Sequence, residues 1–156
     1  MSRWFYEEVI GDGVSYKFIN SIEDFPPNTF GFIYRVTNNQ TGQFYIGKKF
    51  LYHNKKKKLT KKEIAEQTGP GRKPTTKVVQ CESDWSTYWG SSKELREDIK
   101  NIGVDRFTRQ ILYFARDKKE LTYYELKYQI MEDVLISPLS YNDNILGKFY
   151  KRDFAN

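Results

Sequence analysis

Tyr34, in Phe32-Ile33-Tyr34, and Tyr45, in Tyr45-Ile46-Gly47, stand eleven residues apart across a short turn-rich loop. A phenol hydroxyl can both donate and accept a hydrogen bond. Taken alone, two such residues on neighbouring strands form an ordinary cross-strand aromatic pair that stabilises a sheet. The second chemical signal is charge. Between Lys48 and Lys77 there are eleven lysines and arginines against Glu63 and Glu66, a net +9, whereas the whole chain carries +6. The basicity therefore belongs to one segment. With almost no acids interleaved, that segment reads either as a solvated charged loop or as a contact for a polyanion. Other chemistries fall away: Cys81 is the single cysteine and His53 the single histidine. They exclude an intrachain disulfide, a cysteine-based zinc site and a His-rich metal site.

The elements that must position these residues follow from local patterns. The 156 residues suit one domain, and an aromatic content of 17% argues against disorder. Residues 1–29 read as an N-terminal extension, a hairpin of 4–10 and 14–19 turned at Gly11-Asp12-Gly13. Residues 30–37 and 43–47 predict a second hairpin, with Phe30, Phe32 and Tyr34 on one face. Thr60 with Glu63, Ser91 with Glu94, and Asp117 with Glu120 are capping-box patterns. They open a short helix to about 67, a helix ending at Gly103, and a long helix to about Leu135. Residues 107–114 predict a strand between the last two helices. The long helix carries two apolar stripes, Leu121, Tyr124, Tyr128, Met131 and Leu135 against Tyr123, Leu126, Ile130 and Val134, which predicts a core helix covered on both sides. The order implies an α+β domain, a small antiparallel sheet flanked by helices, over 30–150, with a basic insert at 48–80 and a tail at 151–156.

The stretch GFIYRVTNNQTGQFYIGKK resembles the signature of the GIY-YIG nuclease family. Its first element lacks the leading glycine, and Gly31 lies one place earlier. SSKELREDIKNIGVDRFTRQIL is similar to the family's helix-Gly-strand segment, and Tyr141-Asn142 to its closing Tyr-Asn. YIGKK, ESDWSTYWGSS, ELKYQ and YNDNILGKF look most like the Seg-like homing endonucleases of tailed phages, over about residues 30–150.

The resemblance implies a DNA endonuclease that hydrolyses phosphodiester bonds of double-stranded DNA with Mg²⁺ or Mn²⁺. Glu125 sits at the position of the family's metal-binding glutamate. Tyr34 would be the general base or its close partner, its ordinary pKa of ~10 lowered by nearby lysines and the metal. Tyr45 would bond the attacking water or the phosphate, and Asn142, with Asn144 as fallback, would support the site. The family's arginine after the second element is missing: Lys55 falls at its offset, Lys49 lies nearer the strand end, and Arg96 aligns poorly. His53 is a candidate proton relay. Lys48, Lys56, Lys57, Lys58, Lys61, Lys62, Arg72 and Lys73 would contact DNA. Recognition is expected from this basic insert, residues 1–29 or a partner. The absence of a signal-like start or a membrane-length apolar run predicts a soluble cytoplasmic protein, in the host cytoplasm if phage-encoded. The competing readings are a non-catalytic nucleic-acid-binding module and a repair or defence nuclease with the same site.

Overall fold

Phe32, Ile33, Tyr34 and Val36 are all but inaccessible, so the strand that carries them must be covered on both faces. The computed structural model describes residues 3–155. Its main sheet holds β1 (Trp4–Ile10), β2 (Gly13–Ile19), β3 (Gly31–Asn38), β4 (Phe44–Phe50) and β7 (Phe107–Ala115) in the order β2-β1-β7-β3-β4. One face buries Phe32, Tyr34 and Val36 with Trp4, Leu51, Trp85, Leu95 and Phe107, beneath helix α2 (Lys93–Ile102) and the turn at Trp85–Thr87. The opposite face buries Ile33, Ile46, Ala115 and Leu121 beneath helix α3 (Lys118–Met131). Phe30 precedes β3 and meets Phe50 edge-on, on the α3 side, so it does not share the face of Phe32 and Tyr34.

The sheet is mixed, where a purely antiparallel one was expected. β1 runs parallel to β7, with Trp4 opposite Arg109. The expected N-terminal hairpin forms, but it is built into the sheet and is not an appendage to residues 30–150. The reason is Trp4. Its ring meets Phe32 and Tyr34 edge-on at centroid distances of 5.0 and 5.4 Å, and its indole N–H donates to the Trp85 carbonyl at 2.8 Å.

The basic segment is not a loop. β5 (Tyr52–Lys58) and β6 (Thr76–Glu82) pair antiparallel as a separate two-stranded ribbon, joined through the short helix α1 (Lys61–Ala65). Lysine is a poor strand former, so the strand is held by its pairing with the β-branched Thr76, Val78 and Val79. The capping box of Thr60 and Glu63 forms at α1. Asp117 caps α3 by accepting from the Glu120 N–H. The start of α2 differs: Ser92, not Ser91, is the cap, accepting from Leu95.

Helix α3 ends at Met131, short of Leu135, because Asp133 adopts a positive φ of 48° and turns Val134 and Leu135 into the core. Its second apolar stripe is not sandwiched. Tyr123 and Ile130 are exposed, as is Met131 of the first stripe, while Leu126 and Val134 pack into the core, since α3 packs on the sheet with one side only. No helix among the described residues is long and apolar enough to cross a membrane.

Trp4→Ala is expected to cost about 3–5 kcal/mol, as for other buried tryptophans, in urea unfolding. A change within about 0.5 kcal/mol, typical of a surface position, would make the hairpin an appendage after all.

Candidate active site

The second motif strand needs glycine at position 47 for steric reasons. Gly47 lies directly opposite Tyr34 in the β3–β4 ladder. A β-carbon there would fall 2.5 Å from the Tyr34 hydroxyl, 2.8 Å from the ring carbon bearing it and 2.8 Å from Tyr45. Gly90, with φ of 108°, faces the same pair: a β-carbon would lie 3.1 Å from the Tyr45 ring and 3.3 Å from the Tyr34 hydroxyl. Two bare backbone positions thus make the room in which both tyrosines fit. Tyr45 itself stands opposite Val36, so the tyrosines pair diagonally, with ring centroids 6.1 Å apart. Gly31, near the place of the missing motif glycine, also serves packing, since a β-carbon there would meet the Lys49 carbonyl at 2.6 Å and Leu121 of α3 at 3.0 Å.

The loop that brings Gly90 has its own anchor. The Arg109 guanidinium donates to the carbonyls of Ser86 and Tyr88 at 3.0 and 2.8 Å and stacks on Trp4 and Trp89. Burial pushes its pKa down to about 10, still well above neutrality. Tyr88 then meets the Tyr34 ring edge-on at 6.0 Å. Lys49 sits 3.9 Å over the Tyr88 ring and forms an ion pair with Asp84. Ser91, free of capping duty, bonds Tyr45 through their two hydroxyls at 2.7 Å. Arg109, Tyr88 and Gly90 lie in stretches that resemble the family, but no local pattern singles them out within those stretches. For Ser91 the local pattern points to the wrong partner.

A polar pocket of about 460 Å³ opens at the edge of β4, lined among others by Tyr45, Ser91, Glu125, Gln129, Tyr141 and Asn142. Asn142 acts as a stand-in peptide for this edge strand. Its side-chain oxygen accepts from the Ile46 N–H at 3.0 Å and its amide donates to the Ile46 carbonyl at 2.8 Å. Gln129 donates to the same carbonyl at 3.0 Å. Tyr141 is held between Asn38, which donates to its hydroxyl, and Asp98, which accepts from it at 2.7 Å, and its pKa is pushed up to about 12 by burial. Asn144 caps a turn by accepting from the Gly147 N–H.

Glu125 projects from α3 toward this pocket with its pKa raised, by burial first, while Lys48 at 3.8 Å opposes the shift. Lys48 is therefore at the glutamate and not on the ribbon with the other lysines. Tyr34 lies behind the pocket, 1% exposed and absent from its wall. Burial raises its pKa well above the ordinary value, with the neighbouring Tyr45 and Tyr88 adding to the shift. Desolvation thus acts against the lowering expected from nearby lysines and a metal, and Lys48 and Lys49 each face a carboxylate. Tyr45 is shifted in the same direction by burial, with Ser91 opposing.

The remaining candidates are spread out. Lys49 and His53 line a second depression of about 660 Å³ with Asp84. Lys55 is exposed on the ribbon opposite Val79, off the pocket wall. Lys56, Lys57, Lys58, Lys61, Lys62, Arg72 and Lys73 are exposed on the ribbon and its connection. Arg96 lies with Tyr88, Trp89 and Gly90 in a third, smaller cleft. Among the described residues no three His, Cys, Asp or Glu side chains converge as a cage. The residues present fit a hard divalent cation of the kind that keeps most of its water and takes one carboxylate, since Glu125 faces a polar pocket.

A family model described as "Putative endonuclease segE, GIY-YIG domain" matches residues 15–150. No curated protein and no solved structure matches the chain.

Gly47→Ala should destabilise the fold by about 1–3 kcal/mol through overpacking against Tyr34. Adding Tyr34→Phe should recover part of that loss, because it removes the atom met at 2.5 Å. Urea unfolding of the two single variants and the double variant tests this. Strictly additive losses would show that the two residues do not meet.

Proposed function

Since the chain belongs to the SegE-type GIY-YIG endonuclease family, we propose that it is a metal-dependent endonuclease of the phage homing type, hydrolysing phosphodiester bonds in double-stranded DNA. The observation that carries this is the convergence of Tyr45 and Glu125 on one pocket, over a strand edge that Asn142 holds.

Hydrolysis joins a water oxygen to phosphorus, expels the bridging oxygen and delivers a proton to it. Glu125 is the carboxylate that would hold Mg²⁺ or Mn²⁺, and such an ion supplies positive charge for the phosphate oxygens. Lys48 faces that carboxylate at 3.8 Å and would have to share it with a bound cation. Tyr45, its hydroxyl bonded to Ser91, is the tyrosine placed to bond the attacking water or a phosphate oxygen. Tyr34 keeps its proton through the neutral range, because a buried phenolate is costly. Its role is to orient the reacting groups and pass a proton through its hydroxyl, not to stand as a preformed anion. Asn142 is a positioning residue that fixes the backbone between Tyr45 and Gly47.

Lys49 supplies charge beside Tyr88 in place of the family's arginine, as a point charge and not a bidentate fork. Lys55 is the other cation proposed for that role, and it has to be carried in with the DNA. The lysines of the ribbon and its connection, with Arg72 and Lys73, neutralise phosphates along the duplex.

Glu125→Gln should fold normally and lose nearly all Mg²⁺-dependent nicking of supercoiled plasmid, because the carboxylate proposed to hold the ion is gone, while Glu94 and Asp143 elsewhere on the pocket wall remain. Cleavage at the wild-type rate would refute the metal assignment.

Tyr34→Phe and Tyr45→Phe should each lower the single-turnover rate, by on the order of 10²–10⁴ if the hydroxyl takes part in proton transfer. Their melting temperatures should change little, because the rings remain. Full activity in both variants would reduce the pair to sheet packing.

A further inference from the structure

The ribbon of β5 and β6 has two unlike faces. In its ladder Asn54 stands opposite Gln80, Lys56 opposite Val78, and Lys58 opposite Thr76. Residues directly opposite share a face, and alternate pairs along the ladder share it too. These six, with Tyr52 opposite Glu82 at the base, therefore form one face, and all six are exposed, Val78 at 62%. The other face carries the pairs Lys55–Val79 and Lys57–Lys77. There Lys77 is tied to Glu63 of α1 at 2.6 Å. One face of the ribbon is thus engaged at its tip by the connecting helix, and the other is open.

The acid on this face of the ladder, Glu82, lies at its base and accepts from the Trp85 indole N–H at 2.7 Å, and the three outer pairs carry none. They combine two cations with two carboxamides directly across from one another and an exposed valine. At its base Asn54 and Gln80 reach the depression of about 660 Å³ that Lys49 and Asp84 also line, so the face runs toward the Lys49 side of the tyrosine cluster. Seven pairs at about 3.4 Å per residue give a ribbon roughly 20 Å long. A two-stranded ribbon fits the B-DNA major groove, which is about 12 Å wide. The narrow major groove of A-form RNA would not admit it.

We propose that this face is a groove-reading arm: Lys56 and Lys58 fix the ribbon on the phosphates, and Asn54 and Gln80 read base edges in the major groove of duplex DNA. The inference rests on the endonuclease reading and supplies what that reading lacks, a source of sequence preference. Asn and Gln carboxamides pair bidentately with adenine, and each such pairing is worth roughly 5- to 100-fold of discrimination. Val78 offers an apolar surface for a thymine methyl. Lysine bonds to phosphate, by contrast, position the protein without reading sequence.

The test is selection of short random-sequence duplexes by the full chain in EDTA, where no cleavage depletes the pool. Three proteins are compared: wild type, Asn54→Ala/Gln80→Ala, and Lys56→Ala/Lys58→Ala. All four substituted residues are exposed, so thermal melts should match and folding is not at issue. Wild type should enrich a short motif containing adenine. The Asn54→Ala/Gln80→Ala protein should lose that enrichment at the read positions. The Lys56→Ala/Lys58→Ala protein should keep the motif but bind more weakly, with the slope of log K against log salt reduced by about 0.9 for each phosphate no longer neutralised. The same motif from wild type and Asn54→Ala/Gln80→Ala, or no motif from wild type, overturns the proposal. A parallel Mg²⁺ nicking assay separates the two readings. Selection that depends on Asn54 and Gln80 without any cutting refutes the nuclease and leaves the arm standing. Cutting with selection indifferent to both residues does the reverse.

Discussion

The Tyr34 hydroxyl occupies space that a β-carbon on residue 47 would need. That exclusion constrains which residues the two paired motif strands can carry. It forces glycine at 47, calls for a second bare position at Gly90, and lets the Tyr45 ring lie diagonally across from Tyr34. A close approach of this kind is stable only if the backbone on both sides is immobilised. β3 is immobilised as a central strand, paired on one side with β4 and on the other with β7. β4 is an edge strand, and Asn142 and Gln129 occupy the peptide groups of Ile46 where a further strand would otherwise pair. The same device that finishes the edge therefore sets the register of Tyr45 over the pocket.

The aromatic load serves this arrangement from behind. Trp4, Phe32, Tyr34 and Tyr88 meet edge-on around the buried hydroxyl, a geometry favoured by the ring quadrupoles. Arg109 sits between Trp4 and Trp89 and fastens two carbonyls of the 85–89 loop. A buried guanidinium is tolerable there because it is hydrogen-bonded and stacked, and its depressed pKa leaves it charged at neutral pH. The site thus divides into a dry interior holding Tyr34 and a wet margin holding Tyr45, Glu125 and Ser91. The division explains why burial raises the pKa of both tyrosines, with Ser91 opposing the shift at Tyr45.

Charge is partitioned in the same way. Lys48 and Lys49 are consecutive on β4 but point to opposite faces, one to Glu125 beneath α3 and the other to Asp84 and Tyr88. The lysines of Lys55–Lys58 continue the alternation onto the ribbon, where no acid of β5 opposes them. Strand alternation thus turns one uninterrupted basic run into cations at the site and cations along a projecting arm.

Features written within a few residues of one another are legible in the chain. Gly11-Asp12-Gly13 marked a hairpin, Thr60 with Glu63 and Asp117 with Glu120 marked helix starts, and the Lys48–Lys77 charge was plain to count. The tyrosine spacing and its companions carried the family, which the match over 15–150 bears out. Tertiary structure decided what depends on distant partners. No local pattern says that Trp4 pairs beside Arg109, since parallel neighbours leave no turn between them. Ser91, with Glu94 three residues on, is the better cap in sequence, yet Ser92 caps the helix and Ser91 bonds Tyr45. Tyr123 and Ile130 of one apolar stripe and Met131 of the other look buried in sequence because periodicity records composition and not what lies opposite. The protonation of Tyr34 escapes the sequence for the same reason. Desolvation, the first cause of its raised pKa, is a property of the assembled core, and Lys48 and Lys49 on the facing strand each pair with a carboxylate.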